Sequence, residues 1–174
     1  MARLSQTRQS IVALIRQVPY FEDFSSLELT TLVKQGHRQR LPPRQFICHE
    51  GDLGNSFYVI LAGEAEVISE LRGQFIAILH EGDFFGEISL LTGAQRTATV
   101  RSMTAVTLFV LNRERLGDVL QAHPNLAGQL ASKLVERQQN LSSLGIVDLA
   151  RLSTDVAMAE VCDQINQRFG VGCC

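Results

Sequence analysis

From His37 to Asn112 the chain is written in short β-branched or aromatic runs separated by glycine, and this pattern excludes most folds. Candidate strands fall at 37–41, 45–48, 56–61, 65–71, 74–79, 98–101 and 106–111. Ala62-Gly63-Glu64 and Arg72-Gly73 read as hairpin turns between them. Short strands at even spacing close into a double-sheet jelly roll or a barrel. Helical spacing flanks this region on both sides. Ile11, Val12, Leu14, Ile15 and Val18 recur with helical period until Pro19, and a second helix is predicted from a Ser25 or Ser26 cap, with Glu28 in its first turn, to Gln35. After Asn112 the sequence predicts a helix over 113–122, then one with Pro124 in its first turn. That helix carries Leu126, Leu130, Leu134, Leu141 and Leu144 as a stripe ending at Gly145. A last helical pattern spans 149–169. The expected class is α+β: an antiparallel β roll, or double-stranded jelly roll, with an N-terminal helical pair and C-terminal helices. Its segments are 1–36, 37–112, 113–145 and a helical tail over 146–174.

Composition narrows the function classes. With 45% hydrophobic and 20% charged residues over 174 positions, the chain can bury a core and is not disordered. A net charge of −2 leaves no basic footprint for nucleic acid. Residues 145–174 carry Arg151 and Arg168 against Asp148, Asp155, Glu160 and Asp163. Only one helical pattern remains there, whereas a helix-turn-helix needs two. No apolar run reaches the length of a membrane span, and the first residues do not form a secretory signal. Cys48, Cys162, Cys173 and Cys174 lack metal-site spacing and read as reduced cytosolic thiols. The Cys48-His49 pair would point to opposite faces of a strand and cannot share one metal. His37, His80 and His123 show no ligand spacing either. No G-x-S-x-G, P-loop or H-E-x-x-H is present, so the expectation is a protein that is not an enzyme.

One helical interruption sits inside the β region: Phe85-Gly86-Glu87-Ile88-Ser89-Leu90-Leu91, then Arg96-Thr97-Ala98-Thr99-Val100 after four residues. Irregular backbone in such a place is usually kept for binding. A glycine before a helical turn permits close backbone approach, and the turn's free N–H groups attract an anion. Arg96 is fork-shaped and always charged, so it can pair bidentately with phosphate oxygens. Glu87 accepts only, which suits a sugar hydroxyl and repels phosphate. A small molecule with a hydroxyl and a single phosphate charge fits the pair. The competing reading is an Arg96–Glu87 ion pair that closes a loop and needs no ligand.

The segment resembles the phosphate-binding cassette of the cyclic-nucleotide-binding domain family, which reads close to F-G-E-x-x-L-L, a short gap, then R-[AST]-A-[TS]-V. The resemblance continues through Ile47-Cys48-His49-Glu50-Gly51-Asp52, Phe57-Tyr58-Val59-Ile60, Gly63 and Gly82-Asp83-Phe84. It also takes in Val18-Pro19-Tyr20-Phe21 with Ser25-Ser26-Leu27-Glu28-Leu29. It implies one cAMP or cGMP per domain, held by Phe85, Gly86, Glu87, Ile88, Ser89, Arg96, Thr97 and Ala98, with no cofactor besides that ligand. Arg96 would take the phosphate, Glu87 the ribose hydroxyl, and Gly86 and Ser89 would offer backbone N–H groups. Thr97 would tolerate cGMP as well as cAMP. Val59, Leu61, Ile78 and Leu79 read equally as pocket lining or as core. The resemblance further implies that ligand draws the C-terminal helix of the 113–145 segment over the base as a lid. Arg137, on the flank of that helix, is a candidate to stack on a purine face or hydrogen-bond its edge, while a dimer seam or a helix packed permanently on the roll fits the leucine stripe equally. The expected partners are a cyclic nucleotide and an effector domain or protein, such as an ion channel. A homo-oligomer stays open. Neither nucleic acid nor membrane insertion is expected. Two alternatives remain: a ligand-free interaction scaffold of the same fold, and the sensor fragment of a transcription regulator.

Overall fold

The computed structural model describes residues 2–143 and 154–172. The N-terminal helix α1 (Ala2–Arg16) leads into a 3-10 turn at Pro19–Phe21, where the fixed φ of proline starts the turn. Helix α2 (Ser26–Gln35) begins in a reciprocal capping box: the Ser25 hydroxyl accepts from the Glu28 amide, and the Glu28 carboxylate accepts from the Ser25 amide. Changing Ser25 to Ala should lower stability by about 1 kcal/mol, the usual cost of losing such a cap, read from denaturant unfolding. An unchanged midpoint would show that tertiary packing alone holds this helix.

Eight antiparallel strands follow: β1 (His37–Leu41), β2 (Phe46–Cys48), β3 (Ser56–Ala62), β4 (Ala65–Ser69), β5 (Gln74–Leu79), β6 (Phe84–Phe85), β7 (Thr99–Ser102) and β8 (Val106–Asn112). They form two four-stranded sheets, ordered β1-β8-β3-β6 and β2-β7-β4-β5. The short helix α3 (Glu87–Thr92) interrupts the roll between β6 and β7. After the roll come α4 (Arg113–Ala122), α5 (Asn125–Ser143) and α6 (Thr154–Phe169). Leu144, Gly145, the stretch to 153 and the Cys173-Cys174 pair lie outside the described residues.

One expectation is corrected. Ala62-Gly63-Glu64 does not close a hairpin, because β3 pairs with β8 and β6 while β4 pairs with β5 and β7. The turn carries the chain from one sheet to the other. A glycine turn reads alike in both cases, since turn chemistry reports a change of direction and not the pairing that follows. The Arg72-Gly73 turn does join a hairpin, β4 to β5. The two-residue β6 was not anticipated, because a strand of that length carries no periodicity.

The first sheet separates two cores, as the two-residue side-chain period of a strand requires. Phe57 and Val59 of β3, with Phe109 and Leu111 of β8, face the helices and join Ile15, Leu29, Leu32, Leu120 and Leu130 in the larger core. Ile60, Leu108 and Val110 point inward and meet Ala65, Phe85 and Val100 inside the roll. Leu126, Leu130 and Leu134 are buried, so the predicted stripe of α5 is spent on this helical core.

Candidate functional site

The cassette is built where β6 ends and α3 begins. Gly86 caps α3 with φ +87°, a conformation open to glycine and strained for other residues. A Cβ at Gly86 would also collide with the Arg96 guanidinium and the Ser56 carbonyl. The backbone of Arg96 is pinned to the preceding turn on both sides: its amide donates to Asp52 O at 2.8 Å and its carbonyl accepts from the Gly51 amide at 2.8 Å.

The Arg96 side chain is buried, with 7% exposure. Its Nη1 donates to Gly86 O at 3.1 Å and its Nη2 to Ser56 O at 2.8 Å. The guanidinium lies 5.6 Å from the Tyr58 ring centroid, and Tyr58 in turn stacks on Phe85 at 4.7 Å. Among the described residues, no carboxylate forms an ion pair with Arg96. A buried cation held by neutral carbonyls and an aromatic face, without an anion, is costly, and the remaining N–H donors of its fork favour an anion.

Glu87 goes the other way. Its side chain shares the core-facing side of α3 with Leu90 and Leu91, three and four residues on. It is buried and makes an ion pair with Arg137 of α5, Oε1 to Nε at 2.7 Å. The contact is an ion pair and not an aligned hydrogen bond. The Arg137 guanidinium also lies 4.6 Å from the centroid of Phe84. Burial pushes the Glu87 carboxyl above its ordinary range, and the Arg137 charge opposes that shift. Tyr20, edge-on to Phe84, has its phenol pushed well above its ordinary range by the same burial, with the Glu87 charge adding to the effect. The loop-closing Arg96–Glu87 ion pair is therefore absent. Glu87 has a different cation, and among the described residues no acid pairs with Arg96.

The other candidates divide by environment. Phe85 is buried inside the roll, Ile88 packs against the helical core, and Ser89 is buried beside Gly54. Thr97 is exposed and Ala98 half-buried, at the start of the run into β7. Arg137 reaches the cassette, though from the helical side and onto Phe84 and Glu87. Val59 belongs to the helical core, while Leu79 packs against the core inside the roll.

Sequence reasoning missed Ser56, Tyr58 and Gly54 as neighbours of Arg96. Ser56 contributes a backbone carbonyl, which no side-chain pattern reports. Tyr58 carried a faint signal as an aromatic at an inward position of β3. Among the described residues no cluster of three or more His, Cys, Asp and Glu is placed to hold a metal, and no helix is long and apolar enough to cross a membrane.

Comparison with known proteins agrees with this geometry. The chain is 31% identical over 149 residues to a cyclic nucleotide-gated channel rod photoreceptor subunit alpha from Gallus gallus, covering 81% of this chain and 23% of that one. It is 32% identical over 109 residues to a cAMP-dependent protein kinase regulatory subunit from Yarrowia lipolytica, covering 63% and 29%. The chain thus spans under a third of either relative. Among solved structures, the catabolite activator protein of Thermus thermophilus superposes with a TM-score of 0.64 at 28% identity, covering 74% of this chain and 61% of that one. Residues 38–123, the roll with its cassette and the first helix after it, match the cyclic nucleotide-binding domain, and the chain belongs to that family.

Proposed function

We propose that this chain binds one cAMP or cGMP against the cassette and passes occupancy of the site to its C-terminal helices. The observation that carries this reading is Arg96: a buried guanidinium without a carboxylate partner among the described residues, next to the left-handed glycine that opens α3. A cyclic phosphate brings the single negative charge that Arg96 lacks, and Ser89 stands beside it on the same side of α3. For Glu87 to serve the ribose hydroxyls as an acceptor, its carboxylate must turn from the core-facing position it holds beside Arg137. Because Arg137 sits on α5 and Glu87 on the cassette, this ion pair links the ligand site to the helix proposed as the lid. Ligand favours one helix position only through contacts that differ between positions, and this pair is such a contact. The output is regulation of an effector, an ion channel or another protein, and not catalysis.

Parallel calorimetric titrations with cAMP, cGMP and AMP test the reading. The expected result is one saturable site per chain for a cyclic nucleotide and far weaker binding of AMP, whose doubly charged phosphate mismatches one arginine. Thr97→Ala should cost cGMP more than cAMP, by about one hydrogen bond or 0.5–1.5 kcal/mol, if the exposed hydroxyl meets the guanine amino group. Equal affinity for AMP, or no heat with any cyclic nucleotide, would overturn the reading. The second outcome would favour the ligand-free scaffold, for which the engaged state of Glu87 is the supporting observation.

A further inference from the structure

Helix α6 returns to the cassette from behind. Near its end, Arg168 Nε donates to Leu90 O at 2.7 Å, while Nη2 donates to Gly54 O at 3.1 Å and to Asn55 Oδ1 at 2.8 Å. Leu90 O belongs to the last turn of α3, where helix geometry leaves carbonyls without partners and a cation suits the dipole. Gly54 lies against the other side of the site: a Cβ there would strike the Ser89 Cβ and the Arg96 guanidinium. One side chain therefore ties the far end of the cassette helix to the turn that backs Ser89 and Arg96. Its own helix is anchored by Val161, Ile165 and Phe169, buried in the helical core, and packs against α3 and α5. A Cβ at Gly93, just past α3, would meet the Arg168 guanidinium, which would have to shift. All of α6 lies beyond the matched residues 38–123.

We propose that Arg168 is a positioning residue for the nucleotide site, setting α3 against the 53–55 turn and thereby coupling nucleotide occupancy to α6. The proposal rests on the reading of Arg96 as the phosphate ligand. Leu90 O and Gly54 O are fixed points on two separate segments, and the planar fork of arginine spans both where a lysine point charge cannot. Coupling of this kind is reciprocal: if Arg168 holds the cassette in its binding arrangement, nucleotide must in turn hold α6 in place.

The test uses the full chain and cAMP or cGMP, whichever the parent binds more tightly. Affinity is measured by calorimetry for the parent, Arg168→Gln, Arg168→Lys and Asn55→Ala, alongside hydrogen exchange over residues 158–169 with and without nucleotide. In the parent, exchange in α6 should slow on binding. Arg168→Gln should bind about 5-fold or more weakly, the lower end of ordinary site-to-site coupling, and its α6 should no longer respond. Arg168→Lys should recover only part of the affinity, and Asn55→Ala, which removes a single acceptor, should lose less than Arg168→Gln. A merely structural clamp predicts something different: a lower melting temperature, with parent affinity and a parent-like α6 response. That result in Arg168→Gln would overturn the proposal. Should this variant not fold, parent affinity and response in Arg168→Lys, which cannot span both carbonyls, would overturn it equally. A parent that binds no cyclic nucleotide would remove the site reading, and the proposal with it. A parent that binds, with variants that match it, would remove the proposal alone.

Discussion

Arg96→Leu should fold and lose about 10- to 150-fold in affinity for cyclic nucleotide, the loss of a charge-assisted bond worth roughly 1.5–3 kcal/mol. Folding should survive because two effects oppose each other. The substitution leaves Gly86 O and Ser56 O without their donor, yet it also removes a buried cation with no carboxylate partner among the described residues. Tyr58 remains stacked on Phe85, so the wall of the site persists. Arg96→Lys should fall between the two, since an ammonium keeps the charge but cannot donate to both carbonyls and the ligand in one plane. Calorimetric affinity paired with an unfolding curve checks both parts. A folded Arg96→Leu protein that binds as tightly as the parent would place the phosphate elsewhere.

Arg137→Ala should destabilise the fold by roughly 1–3 kcal/mol at neutral pH, by leaving the Glu87 carboxylate buried without its cation. Arg137 is itself 37% exposed, and water screening keeps the loss below that of a fully buried pair. The loss should depend on pH in a definite direction. Burial already raises the Glu87 pKa above its ordinary value, and Arg137 is the strongest influence pulling it down. Without Arg137 the folded-state pKa rises further. A carboxyl whose folded pKa lies above its unfolded one favours the fold when protonated, so its contribution is complete below the unfolded value and fades as pH climbs through the folded one. The stability gap between parent and variant should therefore be narrow in acid and widen towards neutral pH. Denaturant unfolding at a series of pH values reads this directly. A gap that stays constant across the series would mean that Arg137 acts through its packing on Phe84 and not through its charge.

The helices at both ends were legible because their signals are local. The Ser25 cap with Glu28, the Pro19 stop and the leucine spacing of α5 each act within one or two turns, and the structure places α2 and α4 at the predicted residues. The strands of the roll were legible through their two-residue period and glycine punctuation. Sheet membership was not, and for that reason Ala62-Gly63-Glu64 looked like a hairpin and proved to be a crossing between sheets.

The candidate site divides along the same line. By itself the sequence determined that a glycine, a carboxylate, a helical turn and an arginine stand together at the break in the roll, because they occupy one short segment of chain. It also led to the expectation of an anion there, since Arg96 and the start of α3 are properties of residue type and local geometry. Only the tertiary structure decided which partner each charge takes. Arg96 finds the carbonyls of Gly86 and Ser56, Glu87 finds Arg137, and Arg168 spans Leu90 and Gly54. Most of these contacts join residues far apart in the chain, and many of the acceptors are backbone atoms that every residue possesses. A residue's identity states what it can bond; the fold states what stands within reach.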